Sequence, residues 1–281
     1  MAAVLGTNIA SIWASKNLQT SQTNMAASVE RLSSGLRINR AKDDATGLAI
    51  SNLLTQQING ANQGIKNLND GVSIVQTADG ALSTVNEMAN RMLTLATQAK
   101  SDFLSAEQID SIIAEGEALI TEIGNIQLRT AMNGITLFSG EALAIGSSKE
   151  TADEISITET ALADFSATDG ALEDLNAAIG ALTEGDAGVT AQAFIDAATD
   201  YITAIGTQRA ELGAIQNQMD YAISNVQQLS ADLTAARSRV IDTDYATETA
   251  SLTKGQILQQ AATAMLAQAN QMPNVILSLL K

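Results

Sequence analysis

Two stretches of this chain repeat apolar residues every three and four positions for longer than an ordinary globular helix lasts. That periodicity limits what the chain can fold into. In the first stretch Leu54, Ile58, Ala61, Ile65, Leu68, Val72 and Val75 follow steps of 4, 3, 4, 3, 4 and 3. The pattern resumes at Ala78, Leu82, Val85, Ala89, Met92 and Ala96 after one 3,3 irregularity at Val75. In the second, Leu212, Ile215, Met219, Ala222, Val226, Leu229, Leu233, Ala236 and Val240 alternate 3 and 4 without a fault. Both are heptad seams, the first with a stammer-like defect. A helix over 54–96 is about 65 Å long at 1.5 Å per residue. It contains Gly60, Gly64, Gly71 and Gly80, each costing about 1 kcal/mol against Ala. The phase runs through the first three glycines and resumes after the defect. This favours one helix with close neighbours over a series of loop breaks.

A seam this long needs a partner, and the rest of the chain supplies candidates. Ser105-Ala-Glu-Gln108 has capping-box spacing and opens a helix over 105–130 with Ile109, Ile112, Leu119, Ile123 and Ile126 on one face. Asn133-Gly134 is a turn signal. Residues 135–138 and 154–158 alternate as short strands, and the expectation is that they pair as a small hairpin. Residues 161–190 are rich in Ala, Gly and Asp, with a short helix around Leu172 to Leu182. The second seam is expected to begin near Thr190. Both ends are amphipathic, and Val275-Ile-Leu-Ser-Leu-Leu280 leaves an apolar patch that a monomer has no means to cover. The predicted fold is mainly α: a long antiparallel helical hairpin or coiled-coil bundle with a small β-hairpin. The 105–130 helix makes it three-helical, and both termini are helical. The terminal helices then lack a third layer and need other subunits.

Composition narrows the function. The chain has 281 residues with no Cys and no His. A thiolate nucleophile, a Ser–His–Asp triad and the His- or Cys-based metal motifs are therefore excluded. The net charge of −16 is uneven: residues 101–200 hold 2 basic and 19 acidic side chains, while both ends are close to neutral. An acidic middle faces water, neutral ends pack on protein, and nucleic acid is not a partner. No run of 18 apolar residues occurs, so membrane insertion is not expected. The N-terminus makes a poor secretory signal, since no basic residue precedes Lys16.

Several stretches carry a specific resemblance. They are Glu30-Arg-Leu-Ser-Ser-Gly-Leu-Arg-Ile-Asn-Arg-Ala-Lys-Asp-Asp-Ala-Thr-Gly-Leu-Ala-Ile50, Ala81-Leu-Ser-Thr-Val-Asn-Glu-Met-Ala-Asn-Arg-Met-Leu-Thr-Leu-Ala96 and Ala236-Arg-Ser-Arg-Val-Ile-Asp-Thr-Asp-Tyr-Ala-Thr-Glu248. Gln256-Ile-Leu-Gln-Gln-Ala261, Leu266-Ala-Gln-Ala-Asn-Gln-Met-Pro273 and Leu277-Ser-Leu-Leu280 complete the set. In these the chain resembles bacterial flagellin over both arms, about 230 of its 281 residues. The resemblance implies an extracellular, non-enzymatic subunit of the flagellar filament that polymerises into a hollow tube for swimming. It implies terminal arms, 1–43 and 238–281, that line the channel and fold on polymerisation. The tube-forming domain then comprises 44–190, with the hairpin and a short acidic outer segment, and the long helix over 191–237. The implied partners are further copies of the chain, the flagellar cap, junction proteins, an export chaperone and the type III export apparatus. A hook–filament junction protein of the same superfamily is the runner-up. A generic coiled-coil scaffold follows it.

Candidate subunit-packing residues are Leu5, Ile9, Ile12, Trp13, Arg31, Leu32, Arg37, Arg40, Asp43, Leu258, Met265, Leu266, Leu277 and Leu280. The basic run Arg31, Arg37, Arg40 and Lys42 is read as pairing with acidic groups on neighbouring subunits, against the alternative of a solvated face. The family's innate immune receptor, carried over by the resemblance, reads positions matching Arg91, Leu95, Gln98 and Glu115. Leu93 and Thr94 stand where stimulatory members carry Arg and Glu, which implies weak recognition. Asp242-Thr-Asp244 fails as a calcium loop, because Thr247 and Thr253 stand where Gly and Glu are needed. It is read as a helix cap or an inter-subunit hydrogen-bonding site. No phosphate-binding loop or dinucleotide motif occurs, and no cofactor is expected.

Overall fold

The structure is a computed structural model. It describes residues 7–101, 103–147, 154–158, 161–164, 171–182 and 187–279, with backbone alone at 187–188 and 272–279. Among the described residues are six helices: α1 Ile9–Ser34, α2 Ala45–Ala99, α3 Ala106–Arg129, α4 Ala171–Gly180, α5 Ala187–Ile241 and α6 Tyr245–Leu279. Four short strands are β1 Ala131–Met132, β2 Ile135–Thr136, β3 Leu143–Gly146 and β4 Glu154–Ile157. The chain divides into two compact units, residues 59–230 and the two ends, 1–58 with 231–281.

Within residues 59–230, α2 and α5 run antiparallel. Ser230 Oγ donates to Asn62 Oδ1, Arg209 Nε to Asp79 Oδ1 at 2.8 Å, and Lys100 Nζ to Gln192 Oε1. From 62 to 100 and from 230 to 192 the two helices advance by the same 38 residues, so no slip accumulates. Leu68, Val75, Leu82, Val85 and Met92 from α2 meet Phe194, Tyr201, Ile205, Leu212 and Met219 from α5 in one core. The α3 helix adds Ile109, Ile112 and Ile123, which makes the bundle three-helical, as expected. Its first turn is closed by Gln108, whose Oε1 accepts from the Ser105 N–H at 3.0 Å.

The α2 seam differs from the one read off the apolar residues. Gly64 and Gly71 are buried, and Ile65 and Val72 stand to the side, half-exposed. The 3,3 irregularity therefore falls at Ala61 rather than at Val75. The reason is close approach. A side chain at 64 would collide with the Ser147 carbonyl, and one at 71 with the Ile145 side chain. The end of β3 lies on α2 at these glycines, where Asn67 Nδ2 also donates to the Gly146 carbonyl. The second seam holds through Met219 and Val226, but Leu229 near its end is 47% exposed.

The strand pairing also differs from expectation. The strand at 135–138 does not pair with 154–158. Instead β2 turns back on β1 through Asn133 (φ 53°) and Gly134 (φ 82°), both left-handed, as a two-residue hairpin turn requires. The β4 strand pairs antiparallel with β3, Ile145 opposite Ile155. Alternation identified β4 correctly but not its partner. The partner strand, Leu143-Ala-Ile-Gly146, is short and mixed, and its burial comes from lying on α2.

Candidate subunit-packing faces of the terminal helices

The ends of the chain form a unit of their own, in which α1 and α6 run antiparallel. Asn8 Nδ2 donates to the Ala269 carbonyl at 2.7 Å, Ser21 Oγ to the Gly255 carbonyl at 3.1 Å, and Arg31 pairs with Glu248 at 3.6 Å. The seam between them is a heptad on both sides. On α1 it runs Ser11, Ala14, Leu18, Ser21, Met25, Ser28 and Leu32; on α6 it runs Glu248, Leu252, Gly255, Gln259, Ala262, Leu266 and Ala269. Its most buried members are Ser21, Ser28, Gly255 and Ala269. Small residues let the backbones approach, and the serine hydroxyl meets a main-chain carbonyl.

The large apolar residues are elsewhere. Ile9, Ile12 and Trp13 are 58–60% exposed on α1, and Ile257, Leu258 and Met265 are 48–61% exposed on α6. Of the sequence-predicted packing residues, Leu32 and Leu266 are half-buried in the α1·α6 seam, while Ile9, Ile12, Trp13, Leu258 and Met265 face away from it. Leu5 and Leu280 lie outside the described residues, and Leu277 is described by its backbone in α6 alone. Lys16 Nζ lies 5.7 Å from the Trp13 ring centre, one turn along the same face.

The polar candidates are engaged within the chain. Arg40 pairs with Glu30 at 2.7 Å. The Asp43 carboxylate accepts from the Asn39 and Arg40 N–H groups and closes the turn before α2. The Arg37 guanidinium donates to the carbonyls of Arg239 and Val240 at the end of α5. Here the two connections, α1 to α2 and α5 to α6, are stitched together by an antiparallel bridge between Leu36 and Asp242. The Arg37 N–H donates to Ile241 and the Thr243 N–H to Gly35. Gly35 sits at φ 71°, which ends α1 in a left-handed cap. Asp244 starts α6, accepting from the Ala246 N–H and the Thr247 hydroxyl, and those bonds hold its carboxyl below the usual range. The Asp242-Thr-Asp244 motif is thus a helix cap.

The candidate receptor residues divide. Arg91 and Glu115 form an exposed ion pair at 2.7 Å between α2 and α3, and the Glu115 hydrogen bond raises the guanidinium's pKa further. Gln98 is exposed. Leu95 is 1% exposed and belongs to the core. Spacing by 4 and 3 placed the three α2 residues on one face, but Leu95 lies at the edge of it that turns inward.

Two family models match this chain. Residues 5–142 match the bacterial flagellin N-terminal helical region, and residues 195–280 match the C-terminal helical region. The chain belongs to the bacterial flagellin family. A flagellin of Halalkalibacterium halodurans is 36% identical over 99% of this chain and 100% of its own length. One of Xenorhabdus nematophila is 37% identical over the whole of both chains, and one of Bacillus subtilis 36% over 95% of each. A crystal structure of Bacillus cereus flagellin is similar over 61% of this chain and 94% of that one, at 26% identity and a TM-score of 0.48. Flagellin is the structural, non-enzymatic subunit of the extracellular filament that drives bacterial swimming. Among the described residues no helix is long and apolar enough to cross a membrane.

Proposed function

We propose that this flagellin polymerises by burying the outer faces of α1 and α6 against other copies, in head-to-tail contacts that do not close. Such contacts generate helical filaments rather than rings. One observation carries the reading. The most buried places of the α1·α6 seam are taken by serine, glycine and alanine, while Ile9, Ile12, Trp13, Ile257, Leu258 and Met265 are left in water. Exposed large side chains gathered on one helix pair are an interaction surface. The segments 1–43 and 238–281 act as the inner, channel-lining arms, and the rest of the chain as the surrounding tube. The seam's leucines and methionine are only half-buried within one chain, so the arms order fully only when neighbours cover them.

Adding monomer to short filament seeds tests this, with growth followed by light scattering and electron microscopy. Intact chain elongates the seeds. Chain trimmed by 35 residues at each end does not, and normal long filaments from trimmed chain would refute the reading.

The cap, junction proteins, export chaperone and type III export apparatus are proposed as partners from family membership. Recognition by the host innate receptor at Arg91, Gln98 and Glu115 rests on their shared exposure on α2 and α3. Leu95 acts there by positioning the helix. Receptor signalling that is unchanged in Arg91→Ala monomer would refute that site.

A further inference from the structure

The chain contains two Asn-Gly pairs, Asn59-Gly60 and Asn133-Gly134. Asparagine is a labile side chain, and a following glycine puts no side chain in the way of its carboxamide carbon. The backbone nitrogen of the glycine can then attack that carbon and close a succinimide ring.

The fold treats the two pairs differently. Asn59 and Gly60 lie inside α2, where the Gly60 N–H donates four residues back along the helix. Closing a ring there breaks that bond and kinks the helix. Asn133 and Gly134 instead form the two-residue turn between β1 and β2, and both are exposed. Among the described residues neither the Asn133 carboxamide nor the Gly134 N–H has a hydrogen-bond partner. Beyond its chain neighbours, nothing among those residues lies within 4 Å of a methyl added at Gly134, so the attack meets no obstacle. The strands beside the turn are held by two pairs, Ala131 with Thr136 and Met132 with Ile135. A ladder that short opens readily. Opening lets Asn133 leave its left-handed conformation and bring Cγ onto the glycine nitrogen.

We propose that Asn133 is a site of spontaneous covalent modification in the folded chain. The Gly134 nitrogen forms a bond to Asn133 Cγ as the Cγ–Nδ2 bond breaks, and ammonia leaves with the proton of the Gly134 N–H. Water then opens the ring. Addition at Cγ breaks its new bond to the Gly134 nitrogen and gives aspartate. Addition at the main-chain carbonyl carbon breaks the original peptide link and gives isoaspartate, whose chain runs on through Cβ and Cγ. Carboxamide and water become carboxylic acid and ammonia, with no change of oxidation state. Either product adds a carboxylate to a chain already at −16.

The change stays local. Leu137 and Phe138, just past the turn, are buried. The Leu137 N–H donates to the Thr130 carbonyl, and Gln127 Nε2 donates to the Phe138 carbonyl. These contacts hold the base of the hairpin while its tip lengthens. An extracellular subunit is out of reach of enzymes that repair or replace chains in the cytoplasm, so the product builds up with age. The inference stands apart from the filament reading above.

Full-length protein kept in mildly alkaline buffer, once folded and once in guanidinium, tests the site. Peptide mapping by mass spectrometry resolves Asn, Asp and isoaspartate at both pairs, and the unfolded rate supplies the intrinsic chemistry of each. Folding should slow the reaction by more than about tenfold at Asn59 and by less than that at Asn133. Tenfold or greater protection of Asn133 would overturn the site. Protection of Asn59 below tenfold would overturn the helical shielding on which the contrast rests. Modified protein should keep the urea midpoint of fresh protein, and a lowered midpoint would show that the turn does not confine the change.

Discussion

The carbonyl of Ser147 occupies the space that a side chain on residue 64 would need. The glycine therefore fixes where the β3 end lies on α2, and it does so at the cost of the poorest helix former after proline.

Two glycines of α2 should respond in opposite ways to alanine. Gly64→Ala gains helix propensity but forces main chain aside, and overpacking of this kind costs about 1–3 kcal/mol. Among the described residues, nothing lies within 4 Å of a methyl added at Gly80. Gly80→Ala should stabilise by about 0.5–1 kcal/mol. Urea midpoints of the two variants check both signs.

Tyr201 is fully buried and its hydroxyl has no hydrogen-bond partner among the described residues. Tyr201→Phe removes an unpaired polar atom and should leave the protein as stable as before or more so, by up to about 1 kcal/mol.

Alkaline unfolding should report the same residue. Burial first, and Asp164 second, push the Tyr201 pKa well above its ordinary value of 10.0. Below pH 10 both states keep the proton. Above it the unfolded chain releases the proton and the folded chain holds it, so stability falls by up to ~1.4 kcal/mol per pH unit. Tyr201→Phe should lose that slope, measured as urea midpoints between pH 9 and 11.5.

The terminal pair depends on small residues. Ser21→Leu places a large side chain in the α1·α6 seam opposite Gly255 and should cost about 1–3 kcal/mol. Amide exchange along α1 should speed up, while α2–α5 exchange between residues 59 and 230 stays unchanged.

Asp244 caps α6 through the Ala246 N–H and the Thr247 hydroxyl. Asp244→Ala should fray the first turn, seen as faster amide exchange at Ala246 and Thr247. Its contribution in the wild type is present above the ordinary carboxyl value of 3.8 and fades as pH falls through the lowered one.

Much of this was legible in order along the chain. Unbroken periodicity announced α2 and α5, the Ser105–Gln108 spacing gave the start of α3, and Asn133-Gly134 gave a hairpin turn. The family followed from runs of identical residue types. What periodicity misread was the contribution of residues without apolar side chains. Gly64 and Gly71 hold the seam where Ile65 and Val72 were expected, and Ser21, Ser28 and Gly255 hold the most buried places of the terminal seam. A buried glycine or serine gives no hydropathy signal, although in the terminal seam the serines and small residues recur at the heptad step.

The sequence by itself determined that long helices form and that the terminal ones carry more apolar surface than one chain can cover. Both are local properties, set by side-chain spacing along a 3.6-residue helix. Only tertiary structure decided which face of each helix turns inward, that Leu95 is core and Arg91 surface, and that β4 joins β3 rather than the strand at 135. Those choices depend on how closely two backbones approach, and that distance is set jointly by residues far apart in the chain.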